Sequence, residues 1–487
     1  MSKCNYETYR YTRELCRVEN QSIVECRFPG AEIVSVLAVQ ARVVESECVC
    51  VDGEVKYNGK LLLGVVYEDV NKRVCRAERG AEFFHKAANA DVSPACFAKA
   101  DFDAQSVTHR REGASTYVSV VIGAHIKIYT QATAEYLTGG EGLIVKKEGQ
   151  PIVQVSAVAG EVEETDDFEA DGVIDVLLHE EKAHLSACRM RTGEIEIEGE
   201  VCYDVCAMQE GGGVARYERI LPLKMTLPCE EGREDDGVKV GLEVRRAQVS
   251  VALSEEDGRA RINFVCGVYA DCTVYKKEMV TMGVDAFSAT KKLSLSKQKV
   301  VGRYLTEQKT EVRRVAGAAA TSFAEEGWTL LCAFLPSVEL NCQGKVIEGV
   351  LETSALLQSA EGGYKTALLS LPFALDIEAA KGDEIDCMLV GLNVRSFGKE
   401  PQVEGTLKLS IASFAQTEGE YVTEVEELSE VTKKDCAITL FVPAKGDGLW
   451  EVAKKMGVPP EEVEKCNPDV KFPVGEDVRI VVYRQKG

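Results

Sequence analysis

The chain has 487 residues, of which 45% are hydrophobic and 28% charged, with a formal net charge of −22. At roughly 100–200 residues per domain this length allows three to five domains, and the composition is that of a globular chain, not a disordered, collagen-like or proline-rich one. The acidic balance argues against nucleic acid as a partner, because phosphate binding needs clustered Lys and Arg, and it disfavours an anionic membrane surface.

The N-terminal residues MSKCNYETYRYTREL contain no apolar run, so no signal peptide is expected. No stretch of 18 apolar residues occurs; the best candidate, Tyr117–Tyr129, is broken by Gly123, His125 and Lys127. The expectation is a protein that works in the cytoplasm where it is made, without membrane insertion.

The dominant signal along the chain is period-2 alternation, the mark of half-buried strands. Val118, Val120, Ile122, Ala124, Ile126 and Ile128 share one face, and Ser119, Gly123, His125 and Lys127 share the other. Ile262, Phe264, Cys266, Val268, Ala270, Cys272 and Val274 form a second such series, and Val403, Leu407, Leu409 and Ile411 a third. These distant strands look like counterparts, which points to internal repeats. GEVKYNGKLLLGVVY from Gly53 aligns without gaps on GEIEIEGEVCYDVCA from Gly193, and IEGVLETSALL supplies a weaker third copy. Gly59, Gly199 and Gly349 are the matched glycines, followed at equal spacing by Phe83, Leu223 and Phe373. The glycines are read as structural, at bulges or tight turns. Gly139-Gly140, Gly211-Gly212-Gly213 and Gly362-Gly363 read as turns between short strands. The predicted fold is mainly β: three tandem sandwich- or barrel-like domains over 1–145, 146–285 and 286–416.

Segment 417–435 carries six glutamates, two lysines and one aspartate and is read as an acidic, protease-sensitive linker. The rest, 436–487, reads strand, helix, helix, strand, a small α+β (βααβ) unit. Ala437–Val442 is strand-like; Trp450, Ala453 and Met456 recur at helical spacing, with Trp450 expected in the core. Pro459-Pro460 opens a second helix with Glu461 and Glu462 in its first turn, and Val478–Val482 closes as a strand. This unit has 8 basic and 8 acidic residues, so the whole −22 belongs to the first 435.

Eighteen cysteines over this length are too dilute for a disulfide scaffold, and none shows C-x-x-C spacing. They are expected as buried free thiols, with late oxidative cross-linking as the functional alternative; Cys48 and Cys50 would share one strand face. His179 and His184 in LHEEKAH are five apart, unlike the four of a helical metal motif, and are expected on a solvated surface. No phosphate loop or nucleophile elbow is present, and Gly362–Thr366 reads as a hairpin. With five histidines and carboxylates on solvated faces, no enzyme activity, metal or cofactor is expected.

The C-terminal pattern resembles a LysM domain: Gly446-Asp447-Gly448-Leu449-Trp450, then Ala453, Asn467-Pro468 and Pro473-Val474-Gly475. Gly448 stands where the family usually has Thr or Ser, which leaves Asp447 as the expected helix cap. The three upstream copies resemble the SPOCS domain of sporulating Firmicutes through Gly59, Tyr67, Pro372 and Phe373; Ala207 and Leu357 depart from it where Tyr would fall. The combined resemblance implies a non-catalytic structural protein of the spore envelope, acting in the mother cell and assembling on the forespore surface. It further implies a coat morphogenetic ATPase of the basement layer as partner of the LysM-like unit. The alternative is peptidoglycan, N-acetylglucosamine or a chitin-like glycan as its ligand. Either ligand would meet the loops Gly446, Asp447, Gly448 and Asn467, Pro468, Asp469. A homo-oligomer is compatible with both readings. A single module binds glycans weakly, and this favours the protein partner.

Overall fold

A computed structural model describes residues 3–30, 32–253, 259–320, 327–343, 346–377, 380, 382–397, 400–431 and 438–483. The first repeat contains β1 (Cys4–Pro29), β2 (Ile33–Val51), β3 (Glu54–Asp69), β4 (Val74–Ala88), β5 (Phe97–Glu112) and β6 (Ser115–Gly140). The second contains β7 (Ile144–Glu169), β8 (Val173–Arg191), β9 (Glu194–Gln209), β10 (Val214–Pro228), β11 (Gly237–Leu253) and β12 (Ala260–Phe287). The third contains β13 (Lys291–Ala318), β14 (Trp328–Gln343), β15 (Val346–Ser359), β16 (Tyr364–Asp376), β17 (Glu384–Phe397) and β18 (Glu400–Glu430). β19 (Ile438–Phe441), α1 (Leu449–Met456), α2 (Pro460–Cys466) and β20 (Ile480–Tyr483) follow.

Each set of six strands makes the same two antiparallel sheets. One holds the first, sixth and fifth strands of its set, with the sixth in the middle; the other holds the second, third and fourth. The two sheets share one apolar core, which in the first repeat joins Val55, Tyr57, Leu61, Leu63 and Val65 of β3 to Val118 through Ile128 of β6. The alternation read from the sequence is the inward face of the central strand: Val118, Val120, Ile122 and Ile128 are fully buried, as are Ile262, Val268, Leu407, Leu409 and Ile411.

The matched glycines occupy one place in all three repeats. Gly59 lies opposite Phe83, Gly199 opposite Leu223 and Gly349 opposite Phe373, each on the middle strand of the smaller sheet. A methyl group at Gly59 would sit 2.4 Å from the Glu45 carbonyl and 2.5 Å from the Phe83 ring. At Gly349 the clashes are 2.8 Å with the Glu339 carbonyl and 2.5 Å with Phe373; at Gly199, 2.6 Å with the His184 carbonyl. The glycine is required by close approach of a neighbouring carbonyl and a cross-strand side chain, neither a turn nor a ligand contact.

Two segments differ from their sequence reading. Residues 417–430 are not a linker: they complete β18, in register with β13 from Gly302 back to Lys291. The glutamates face lysines across the ladder, Lys297 to Glu420 at 2.9 Å and Lys291 to Glu427 at 2.6 Å, while Tyr421 and Val422 are buried. Cross-strand neutralisation makes an acidic alternating segment a good strand. The third repeat therefore reaches Glu430, and residues 432–435 of the proposed linker, with Cys436 and Ala437, lie outside the described residues. Gly139-Gly140 is not a turn either; both residues pair with Asn5 and Cys4 at the end of β6.

The long first and sixth strands of each repeat reach past the private cores and meet. β1 packs on β7, β12 on β13, and β18 on β6, so each repeat touches the other two. One shared cluster contains Leu137, Ala286 and Val422, from the last strand of each repeat. Another contains Val66, Cys206 and Leu356, equivalent positions on β3, β9 and β15. The three repeats therefore close around a common centre in an approximately threefold arrangement.

Candidate functional site

The C-terminal unit is a two-stranded sheet, β19 paired with β20, covered by two short helices. Gly457, at φ 65°, ends α1 in the left-handed conformation that favours glycine, and Pro460 opens α2. Val452, Ala453, Met456, Val463, Ile480 and Val482 form its core, and Phe287 from the end of β12 belongs to the same cluster. The unit is thereby seated on the second repeat. The Trp450 indole N–H donates to Asp285 at 2.7 Å, Lys454 Nζ lies 2.7 Å from both Asp285 oxygens, and the Trp450 ring meets Phe287 edge-on at 5.1 Å. Trp450 is thus half-buried at a contact between units, beside rather than within the module's own core. Asp285 sits at a register shift of the β12–β7 ladder. Burial opposes its ionisation, but hydrogen bonds from Lys454 and Trp450 outweigh this and hold its carboxyl below the usual range. A groove of about 290 Å³ runs beside the contact, lined by Lys146, Gln150, Asp285, Lys297, Glu420 and Trp450.

The six loop residues singled out from the sequence fall in two places. Gly446, at φ 89°, donates its N–H to the Val474 carbonyl at 2.9 Å, and Asp447 O accepts from Val474 N at 3.0 Å. Asp447 is not the helix cap. Gly448 holds the N-cap position without a side-chain bond, because the Asp447 carboxylate is taken by Ala444 N at 2.9 Å and Lys455 Nζ at 2.7 Å. The Lys455 ammonium holds the Asp447 carboxyl below its usual range. In the second loop the Asn467 side chain is fully engaged. Its amide donates to the Val463 and Val481 carbonyls at 2.8 and 2.7 Å, and its oxygen accepts from Val481 N at 2.9 Å. Asn467 is a brace between α2 and β20. Pro468 and Asp469 are exposed beside it. Among the described residues no hydrogen bond joins the two loops. Sequence reading missed a different surface: Ile438, Leu440 and Tyr483, all exposed, share the outer face of the small sheet, and Val442, also exposed, follows β19 directly. The signal was the alternation of β19, whose inner residue Phe441 packs on the module core.

The second polar centre lies where the repeats meet. Glu384, the first residue of β17, receives Arg17 at 3.0 Å, Lys127 at 2.8 Å, Lys239 at 2.5 Å and Arg303 at 3.0 Å. Those cations come from the first, second and third repeats, so one carboxylate ties all three. Burial alone would raise its pKa; the charges of Lys239 and Lys127, with their hydrogen bonds, reverse this and hold it far below the usual range. Burial and the neighbouring Lys239 push Lys127 down.

The two histidines expected on a solvated surface are buried at contacts between repeats. His179 pairs with Glu181, which also receives Arg42 from the first repeat. His184 lies 3.1 Å from Glu200, which receives Lys408 from the third. Five-residue spacing on a strand sends the two side chains to opposite faces, so each reaches a different neighbour. The apparent charge-rich surface motif is an interface motif.

Among the described residues no group of three or more His, Cys, Asp or Glu side chains is placed to hold a metal ion, and no helix is long and apolar enough to cross a membrane. None of the sixteen cysteines whose side chains are described forms a disulfide, and eight of them are buried. No family model, no curated protein and no solved structure matches this chain.

Proposed function

We propose that this protein is a non-catalytic assembly scaffold of the bacterial spore envelope. In this reading three SPOCS-like repeats form one closed body, and the LysM-like module carried on it binds a protein partner. The partner named by the resemblance is the coat morphogenetic ATPase of the basement layer. The observation that supports protein over glycan is the state of the module's surface. Asn467 is spent on internal hydrogen bonds and Trp450 is covered by Asp285 and Phe287. The outer sheet face and the residue that follows β19, by contrast, offer four exposed apolar side chains. Apolar surface of this kind on a charge-balanced module suits a protein interface.

The test uses the full chain against the purified ATPase and against peptidoglycan fragments. Binding to the ATPase, weakened at least tenfold by Leu440→Asp and unchanged by Asp469→Ala, supports this reading. Binding to the fragments alone, lost on Asp469→Ala, replaces it with the glycan reading.

A further inference from the structure

Cys206 on β9 and Cys332 on β14 are 126 positions apart in sequence, yet their sulfurs touch at 3.6 Å in the buried cluster where the three repeats meet. The ladders show what stands at the equivalent places. Cys206 lies opposite Leu178, Val66 opposite Ala38, and Leu356 opposite Cys332. By register, the positions equivalent to the thiol pair are Val66 with Leu178 between the first and second repeats, and Leu356 with Ala38 between the third and first. Aliphatic pairs fill two of the three places, so packing does not require sulfur at the third. The surrounding side chains, among them Leu37, Leu177 and Phe334, keep water away.

We propose that Cys206 and Cys332 are a covalent modification site, an oxidisable dithiol that forms a disulfide between the second and third repeats when the protein meets a hydroperoxide. One thiolate reduces hydrogen peroxide to water and becomes a sulfenic acid. The neighbouring sulfur then attacks it; the S–S bond forms, the S–O bond breaks, and a second water carries off the remaining thiol proton. Two thiols and one peroxide give one disulfide and two waters. The link closes a long loop of chain and would tie together strands that now meet only by packing. Contact with Cys332 first, then burial, holds the Cys206 thiol well above its usual pKa. The thiolate is the reactive form, so the reaction is slow near neutrality and quickens as pH rises. This site is independent of what the C-terminal module binds.

The experiment treats the folded, reduced full chain with hydrogen peroxide, blocks remaining thiols with N-ethylmaleimide in denaturant, and maps peptides without reductant. The expected result is a linked peptide pair carrying Cys206 and Cys332, lighter by the two thiol hydrogens, and a melting midpoint that rises and returns on reduction. Cys206→Val and Cys332→Leu copy the residues of the equivalent positions. Either should fold with the midpoint of the reduced protein and show no peroxide-dependent rise; if a variant does not fold, the peptide map of the unaltered chain decides. Recovery of both cysteines as maleimide adducts from the peroxide-treated folded chain overturns the proposal. So does a link that forms only in unfolded chain.

Discussion

The outer lobes and the shared centre are made by the same strands with different chemistry. In the lobes, each repeat closes a private apolar core between its two sheets, and the residues that matter are its own. In the centre, cohesion between repeats combines small shared clusters with charged contacts, and the cations around Glu384 come from three places in the chain. The lesson is that a tandem array becomes a single body through shared apolar clusters joined by a few long-range polar contacts. Removing one side of such a contact is expensive, because it leaves the other side buried and unpaired.

The largest effect should come from breaking the centre. Glu384→Gln leaves Arg17, Lys127, Lys239 and Arg303 facing one another, and unfolding in urea should show a loss of about 3–5 kcal/mol. Adding Lys127→Gln should recover part of that loss, because it removes like-charge repulsion; a purely additive double variant would show that the cations do not interact.

Next in size is a lobe variant. Gly59→Ala forces a methyl into the Glu45 carbonyl and the Phe83 ring, with an expected loss of about 1–3 kcal/mol in urea unfolding. Its effect on amide exchange should stay within the first repeat, in contrast to the centre variant.

The module contact should respond more weakly, because Lys454 is exposed enough for solvent to screen its pairing with Asp285. Asp285→Asn removes the charged acceptor of Trp450 and Lys454, a change of about 1 kcal/mol at that partly screened contact, and should red-shift Trp450 fluorescence in a Trp328→Phe background. The pH dependence follows from the lowered folded pKa of Asp285. Its contribution is fully present above the unfolded carboxyl value of about 3.9 and is lost as pH falls through the folded value. The same red shift should therefore appear on acidification below about pH 4, and Asp285→Asn should flatten it. The smallest effect is expected from Asp447→Ala, which loses an exposed ion pair and a turn hydrogen bond and should lower the thermal midpoint only slightly.

These contrasts also explain what was legible in the sequence. Period 2 with the matched Gly59, Gly199 and Gly349 revealed the strands and the repeats, because a strand's inward face is local. Helical spacing and Pro459-Pro460 revealed the βααβ module for the same reason. The misread segment 417–430 looked like a linker because its charges were counted without the lysines of β13 that face them. His179 and His184 looked solvated because their neighbours, Arg42 and Lys408, are far away in sequence. Glu384 and Asp285 carried no motif at all. Of the six loop residues, Pro468 and Asp469 remain exposed, while Asn467 and Asp447 are committed to internal bonds that only the fold reveals.

The central claim is that the three repeats are one body held at a common junction. Hydrogen–deuterium exchange of Glu384→Gln against the unaltered chain tests it most directly. The account predicts faster exchange in β17 and also around Arg17 and Lys127 of the first repeat, Lys239 of the second and Arg303 of the third. Faster exchange confined to β17, with β1, β6, β11 and β13 as protected as before, would contradict it.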